Sequence, residues 1–152
     1  NRMQPERLIM LDQGETPLFH LEQEFRKRGN GNGIDKVYLL ADVSDELSMK
    51  RVFSRYKPDL VYHAAAYKHV PVIEQNPLEA VRVNVFGTLN LARLSGEHGV
   101  QKFVMVSTDK AVNPTSVMGA SKRVAEILIQ KLNWKNGSTT KYITTRFGNV
   151  LG

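Results

Sequence analysis

Cysteine is absent from the 152 residues of this chain. Its absence excludes disulfide bonds, thiolate metal ligands and cysteine nucleophiles, and it fits a reducing compartment such as the cytoplasm. Long apolar runs are also missing, and none approaches the roughly 18 residues that a membrane-spanning helix needs. No secretory leader is recognisable at the amino end. We therefore expect a globular protein without a membrane span.

A glycine-rich turn between a first strand and a helix is a further absence. Dinucleotide-binding folds use such a turn to bring backbone N–H groups to a pyrophosphate, and none precedes Asp12. The dense glycine stretch Gly29–Gly33 follows a predicted helix rather than a strand. We therefore interpret it as a flexible turn and not as a phosphate loop.

Charge gives little support for a nucleic-acid partner. The formal net charge is +6, but the basic residues are scattered or mixed with acids, and no basic stripe interleaved with aromatics is present. We predict solvated basic faces that attract an anionic pyrophosphate, and no nucleic-acid binding. With 41% hydrophobic and 24% charged residues, the composition is that of an ordinary globular domain.

Strand and helix patterns alternate along the chain, which predicts an α/β fold with a parallel sheet and helices on both faces. A loop containing Pro71 is expected before the longest helix. Strands are predicted at Arg7–Asp12, Val37–Ala41, Asp59–Ala66, Lys102–Ser107 and Tyr142–Phe147. Helices are predicted at Glu15–Arg28, Ser44–Tyr56 with Ser44 or Asp45 as its cap, Pro77–His98 and Val117–Leu132.

The segment from Ser107 to Lys122 carries the main chemical signal. It begins at the carboxyl end of a predicted buried strand, where open parallel sheets bind ligands. It supplies a hydroxyl, a carboxylate and an ammonium at Thr108, Asp109 and Lys110, and a second lysine on the next helix. His63 and His69 are six residues apart without a third ligand nearby, so no metal site is predicted.

Three motifs resemble the extended branch of the short-chain dehydrogenase/reductase superfamily: Ser107-Thr-Asp-Lys-Ala111, Met118-Gly-Ala-Ser-Lys122 and Arg146-Phe-Gly-Asn-Val-Leu-Gly152. In that superfamily a Ser or Thr after a strand is followed by Tyr-x-x-x-Lys, and here Met118 takes the tyrosine position. The set is similar to the CapD-like polysaccharide biosynthesis group, the UDP-N-acetylglucosamine 4,6-dehydratases. The likeness extends over nearly the whole chain and implies a Rossmann-like, doubly wound parallel sheet.

The resemblance implies the catalytic roles. Such dehydratases oxidise carbon 4 of the sugar with NAD(P)+, remove the carbon 5 proton and expel the carbon 6 hydroxyl. Asp109 would be the acid and Lys110 the base, each in its less common protonation state; a solvated turn pair is the alternative. Lys122 would bind the nicotinamide ribose. Met118 cannot accept a proton, so water or Thr108 would relay the proton of the carbon 4 hydroxyl.

Cofactor contacts are expected at three strand ends. Asp12 would accept hydrogen bonds from the adenosine ribose, which mildly favours NAD over NADP, or would cap the turn. Asp42 and Val43 resemble the adenine-contacting position, with a turn-capping aspartate as an equal alternative. The stretch His63, Ala64, Ala65 and Ala66 would let the cofactor lie close to the strand end, or would serve tight helix–strand packing.

Substrate contacts are implied for Lys68 and His69, which follow that strand, and for Arg146 and Asn149, which follow the last one. An arginine at a strand end can equally be structural. Asn84, on the long helix, resembles the asparagine that supports the catalytic lysine, and is counted with the substrate-facing residues. As a polar residue in an apolar stripe, it must find hydrogen-bond partners in either case.

The resemblance also implies that residues 1–152 are part of an NAD(P)-binding Rossmann domain. The family's first strand and glycine turn would lie before Asn1, and its sugar-binding portion after Gly152, so we expect this piece alone to be inactive. The methionine at position 118 resembles the long, membrane-tethered members of the family. The expected parent is cytoplasmic, tethered at the inner face of the plasma membrane, homo-oligomeric and acts on a UDP-sugar. A nucleotide-sugar epimerase or reductase, and a non-catalytic nucleotide-binding module, remain alternatives.

Overall fold

The computed structural model of the chain describes residues 5–27, 33–134 and 139–148. The chain forms two compact units, Asn1–Asp42 and Val43–Gly152. The first contains two strands and one helix, and the second contains three strands and the remaining helices. In both units the described strands pair in parallel, which confirms the predicted α/β class with parallel pairing.

The first unit is a strand–helix–strand arrangement. Strand β1 (Arg7–Asp12) pairs with β2 (Asp35–Leu40) along their whole length. Helix α1 (Glu15–Lys27) packs on both strands and buries Leu18. Its acidic first turn and basic last turn suit the helix dipole. The glycine stretch that was interpreted as a turn lies outside the described residues except for Gly33.

The second unit is built on a three-stranded sheet in the order β3-β4-β5. These strands are β3 (Leu60–His63), β4 (Lys102–Thr108) and β5 (Lys141–Phe147). In central β4, buried residues alternate with half-buried ones, as in a strand whose two faces differ in burial. The predicted third strand is too long, because the three alanines that follow His63 leave the ladder.

Two short helices flank the third strand. Helix α2 (Glu46–Tyr56) starts at Asp45, whose carboxylate accepts a hydrogen bond from the N–H of Ser48, as one of the two predicted caps. The loop predicted around Pro71 is wrong, since helix α3 (Val70–Gln75) forms there. Proline lies in its first turn, where a missing N–H costs the helix no hydrogen bond.

The predicted helix from Pro77 is present but is not uniform. It consists of α4 (Pro77–Ala80), a π-helical segment (Val81–Gly87) and α5 (Thr88–Glu97), which packs on β3 and β4. Gly99 follows with a φ of 68°, the left-handed conformation that glycine adopts readily. The π geometry was not predicted, because the apolar pattern does not distinguish it from an α-helix.

The site region follows β4 directly. A single 3-10 turn (Asp109–Ala111) leads to helix α6 (Val117–Asn133), which Ser116 caps by accepting from the N–H of Gly119. Helix α6 packs on β4 and β5. In the described part of the chain, no helix combines the length and apolar character needed to cross a membrane.

Candidate functional site

Thr108, Asp109 and Lys110 form a hydrogen-bonded cluster at the carboxyl end of central strand β4. The Thr108 hydroxyl donates to Asp109 Oδ1 at 2.9 Å, and Lys110 Nζ donates to the same oxygen at 3.2 Å. Thr108 Oγ1 also accepts from the Lys110 backbone N–H at 3.3 Å, which caps the 3-10 turn. The three residues therefore meet as expected, and the carboxylate and ammonium remain 56% and 46% exposed.

The ionisation of Asp109 differs from the expectation. Hydrogen bonds from Thr108 and then from Lys110 stabilise its carboxylate and lower its pKa. An acid that holds its proton at neutral pH needs the opposite shift. In this structure Asp109 is therefore a carboxylate at rest, because the residue is exposed and has two donors on one oxygen, and its role as the acid stays a prediction.

The turn that carries this cluster is in close contact with helix α6. A Cβ added to Gly119 would lie 2.4 Å from the backbone oxygen of Lys110, so only glycine allows this approach. A Cβ on Gly148 would lie 3.8 Å from Asp109 Oδ2, which places the end of β5 beside the carboxylate. The motifs around Ser107, Met118 and Arg146 thus converge in space.

Met118 lies in an apolar cluster rather than in an open site. Only 4% of its surface is exposed, and it joins Ile73 and Ala80, with Tyr67, Val70 and Val117 packed around them. Neither a catalytic contact nor a proton transfer follows from this position. The structure makes Met118 a packing residue at the start of α6.

Lys122 is buried at the carboxyl end of the sheet. Its side chain donates from Nζ to the backbone oxygen of Val106 at 2.7 Å, and the residue is 5% exposed. Burial lowers its pKa from 10.5 to about 8, and the negative charge of Glu126 partly opposes that shift. An ammonium carries three donors, so the bond to Val106 still allows a ribose hydroxyl to bind.

Arg146 is paired with a buried carboxylate. It donates from Nε to Glu126 Oε1 at 2.8 Å and from its NH2 group to Oε2 at 2.7 Å, while Arg123 adds a third bond. Burial raises the pKa of Glu126, but the bonds from Arg146, and contributions from Ser107 and Arg123, outweigh it and lower the pKa to about 2. The Ser107 hydroxyl helps to lower the pKa of Glu126 although it forms no hydrogen bond of regular geometry among the described residues. The pair supports the structural alternative for Arg146.

Asn84 is fully buried and is satisfied within the protein. Its Oδ1 accepts from the backbone N–H of Tyr67 at 2.8 Å, and its Nδ2 donates to the Tyr67 oxygen at 3.1 Å and to Ser121 Oγ at 3.0 Å. The expectation that Asn84 faces the substrate is therefore wrong. It ties the loop after β3 to helix α6, one residue from Lys122.

His63 is part of the same buried layer. Its Nε2 lies 2.8 Å from Thr88 Oγ1. The Thr88 hydroxyl donates its one proton to the backbone carbonyl oxygen of Asn84 at 2.6 Å. The Nε2 atom must therefore carry the proton in the His63–Thr88 bond. Burial, and then the charge of Lys122, lowers the pKa of His63 to about 3, so the imidazole is neutral. Its side chain cannot contact a cofactor, which corrects that expectation.

The residues after His63 are open. Ala64 and Ala65 are exposed and Ala66 is half-buried, so their small side chains leave room against the strand end. Lys68 and His69 are exposed as well, and His69 precedes helix α3 as its N-cap residue. No group of three possible metal-binding side chains occurs among residues 5–27, 33–134 and 139–148.

Two further strand ends carry the remaining cofactor positions. In the first unit, Asp12 Oδ1 accepts from the Gly14 N–H at 2.7 Å, so Asp12 caps its turn, while a carboxylate retains acceptor capacity for a ribose. Asp42, in the same unit, is half-buried. Val43 begins the second unit with a buried side chain against Gly87, so only its backbone could contact a cofactor. Asn149 lies outside the described residues.

Sequence reasoning missed Glu126, Ser121 and Thr88. Glu126 lies four residues after Lys122 and therefore on the same helical face, a spacing that could have identified it. Thr88 and Ser121 gave no such signal, because their roles depend on contacts 25 and 37 residues away in the sequence.

Comparison with known proteins gives consistent matches over the whole chain. Residues 1–152 match the family described as "Polysaccharide biosynthesis protein". The chain is 49% identical to "Capsular polysaccharide biosynthesis protein CapD" of Staphylococcus aureus, over 100% of this chain and 25% of that protein. It is 35% identical to a "UDP-N-acetylglucosamine 4,6-dehydratase (inverting)" of Campylobacter jejuni, over 97% of this chain and 42% of that protein.

Solved structures give the same result for the fold. That of Pen from Bacillus thuringiensis is 33% identical with a TM-score of 0.86, over 97% of this chain and 43% of that one. More distant structures show the fold alone. WbmG of Bordetella bronchiseptica with NAD is 20% identical with a TM-score of 0.70, over 96% of this chain and 54% of that one. A dTDP-4-dehydrorhamnose reductase of Bacillus anthracis with NADP is 24% identical with a TM-score of 0.72, over 95% of this chain and 54% of that one.

Proposed function

Because this chain belongs to the polysaccharide biosynthesis protein family, we propose that its full-length protein is an NAD(P)-dependent nucleotide-sugar 4,6-dehydratase. The proposed substrate is UDP-N-acetylglucosamine, and the product is its 4-keto-6-deoxy derivative. The chain spans 25% to 54% of the length of the relatives and solved structures described above, so the activity is assigned to the whole protein. We assign residues 1–152 to its NAD(P)-binding domain.

The Thr108–Asp109–Lys110 cluster is the observation that supports this function best. It places an exposed acid–base pair at the carboxyl end of the central strand, beside the end of β5. Lys122 follows on the next helix. An epimerase needs one group to exchange the proton at oxygen 4. A dehydratase needs two more, one for the carbon 5 proton and one for the departing hydroxyl.

The two groups reach their reactive states by one proton transfer. At rest the pair is a carboxylate and an ammonium joined by a 3.2 Å contact from Lys110 Nζ to Asp109 Oδ1. Moving one proton along that contact gives neutral Lys110, a base for carbon 5, and protonated Asp109, an acid for the carbon 6 hydroxyl. A bound sugar excludes water from this exposed pair, which disfavours the ionic form and promotes the transfer.

Each unit, taken by itself, has residues at its strand ends of the kind that a dinucleotide contacts. When bound, NAD(P)+ would supply the hydride acceptor for carbon 4 and, in its reduced form, the hydride donor for carbon 6. Ala64 and Ala65 leave open space beside β3, and Lys122 presents an ammonium at the end of β4. The Asp12 carboxylate suits the 2′-hydroxyl of NAD better than the phosphate of NADP. A cytoplasmic location, with the parent tethered to the membrane, and a homo-oligomeric state stay predictions.

The test is to incubate the full-length protein with UDP-N-acetylglucosamine and NAD+, and to follow the sugar by NMR. A 4-keto-6-deoxy product is expected. A 4-epimer would instead support the epimerase alternative. An unchanged sugar, with NAD+ still bound by calorimetry, would support the non-catalytic alternative.

A further inference from the structure

Met118 leaves the proposed oxidation without an obvious partner for oxygen 4 of the sugar. The hydroxyl proton must depart when carbon 4 loses its hydride, and a thioether sulfur is only a weak acceptor. The methionine is also 4% exposed and lies inside an apolar cluster. The Thr108 hydroxyl, the relay that the sequence suggested, already donates to Asp109 Oδ1 and accepts from the Lys110 N–H. Another hydroxyl group near the start of helix α6 would therefore suit this role.

Tyr67 is a phenol packed on that same cluster. It lies in the loop after β3, is half-buried, and contacts the group formed by Ile73, Ala80 and Met118. The loop leaves the carboxyl end of its strand beside the open side chains of Ala64 and Ala65. Tyr67 is thus on the edge of the sheet where the proposed substrate would bind.

The backbone of Tyr67 is fixed relative to helix α6. Asn84 bonds both its N–H and its carbonyl oxygen, and also donates to Ser121 Oγ. Ser121 Oγ in turn donates to the Met118 carbonyl oxygen at 2.8 Å. One continuous chain of hydrogen bonds therefore joins the residue before Lys122, the Met118 backbone and Tyr67.

A second anchor holds the other end of the same loop. The Glu74 carboxylate, on helix α3, accepts from the N–H of Val117 at 2.7 Å, at the first residue of α6. The segment between β3 and α4 is therefore attached to the start of α6 at Tyr67, through Asn84, and again at Glu74. Such fixed geometry suits a group that must meet one oxygen of a bound sugar.

We propose that Tyr67 supplies the phenolic hydroxyl that Met118 lacks, as a further catalytic residue of the dehydratase. The inference rests on the proposed function. In the step, carbon 4 loses its hydride to the oxidised nicotinamide, and the O–H bond at oxygen 4 breaks. Its proton passes to Tyr67 Oη while the phenol's own proton passes to a solvent water, and a carbon–oxygen double bond forms.

The test compares variants of the full-length enzyme in a single turnover with UDP-N-acetylglucosamine, following absorbance of the reduced nicotinamide. Tyr67→Phe removes the hydroxyl and keeps the ring that packs on Met118. We expect nicotinamide reduction to slow about 100-fold. Tyr56→Phe is the matched control, since Tyr56 is also half-buried but ends helix α2, and it should keep the native rate.

A binding measurement separates chemistry from packing. Calorimetric titration of the NADH-loaded enzyme with UDP-N-acetylglucosamine gives a reading without turnover. There Tyr67→Phe should bind roughly two- to tenfold more weakly, the effect of one lost hydrogen bond.

The outcomes are distinguishable from those of the proposed function. A native reduction rate in Tyr67→Phe, or native affinity for UDP-N-acetylglucosamine in its calorimetric titration, would overturn the role of Tyr67 alone. Native enzyme that reduces NAD+ without forming a 4-keto-6-deoxy sugar would overturn the dehydratase assignment and leave the Tyr67 comparison valid. Absence of reduction with any UDP-hexose would overturn both.

Discussion

Asn84 binds both backbone polar groups of Tyr67, 17 residues earlier in the chain. One side-chain amide accepts from the Tyr67 N–H and donates to its carbonyl oxygen, as a neighbouring strand would. Among side chains of this length, only asparagine offers both an acceptor and a donor to the two groups. The loop after β3 is thereby held without being part of the sheet.

Replacing Asn84 by aspartate should loosen this loop. The variant loses both donations from Nδ2 and turns a second oxygen toward the Tyr67 carbonyl. Buried groups left without partners cost about 1–3 kcal/mol each, so the free energy of unfolding should fall by roughly 2–4 kcal/mol. Thermal denaturation of the full-length protein measures this. Asn90→Asp is the control, because half-buried Asn90 donates over longer distances of 3.2 and 3.4 Å.

Asp109→Asn and Lys110→Met should each block elimination while sparing oxidation at carbon 4. Each variant removes one member of the proton-transfer pair, and a lost acid or base costs on the order of 100-fold or more in rate. Reduced nicotinamide should therefore accumulate without release of a 4-keto-6-deoxy sugar. Absorbance and NMR together measure the two steps. Asp59→Asn, at the opposite end of β3, should behave as the native enzyme, and near-native elimination in either site variant would contradict the assigned roles.

Gly119→Ala should displace the turn that carries Asp109 and Lys110. The added Cβ would meet the Lys110 backbone oxygen at 2.4 Å, and a backbone atom cannot rotate away. We expect a loss of about 1–3 kcal/mol in stability, beyond any gain in helix propensity, together with reduced turnover. At Gly96 the contact at 2.7 Å is the tip of the Tyr142 side chain. Gly96→Ala should therefore cost less activity, and equal losses in the two variants would argue against the backbone clash.

Acid should destabilise the fold through His63. Its pKa is lowered from 6.5 to about 3, so between these values the unfolded chain binds a proton that the folded chain does not. Stability is therefore fully present above pH 6.5 and is lost as the pH falls toward 3. His63→Gln keeps an N–H donor for Thr88 and cannot titrate. Between pH 6.5 and 4.5 the melting temperature of the variant should fall less than that of the native protein. Above pH 4.5 Glu126 adds nothing to the pH dependence. Parallel plots of melting temperature against pH for the two proteins would refute the role of His63.

The fold was largely predictable because strand and helix patterns have different periods. All five strands and the helices beginning at Glu15, Pro77 and Val117 are present with shifts of a few residues at most, except that β3 ends three residues early. The errors have local causes. Pro71 was interpreted as a loop residue although proline suits a first helical turn, and the small residues after His63 continue an apolar run without pairing.

The site was predictable where its residues are consecutive. Thr108, Asp109 and Lys110 meet because they follow one strand end. The roles of Asn84, His63 and Arg146 were not predictable, since each depends on a buried partner from another element. A sequence pattern indicates that such a side chain is polar in an apolar stripe, but the direction in which it finds a partner is decided by tertiary packing.

The π-helical segment makes the chain unusually sensitive to a change in residue number. Its wider turn buries Val83, Asn84 and Val85 in succession, so an amide can face the loop after β3 while both neighbours stay in the core. Deleting one residue there would restore an ordinary α-helical turn, because a π turn corresponds to one extra residue in the helix. The deletion would rotate everything on one side of Asn84 by about 100°. Asn84 and Thr88 could then no longer reach Tyr67 and His63 together.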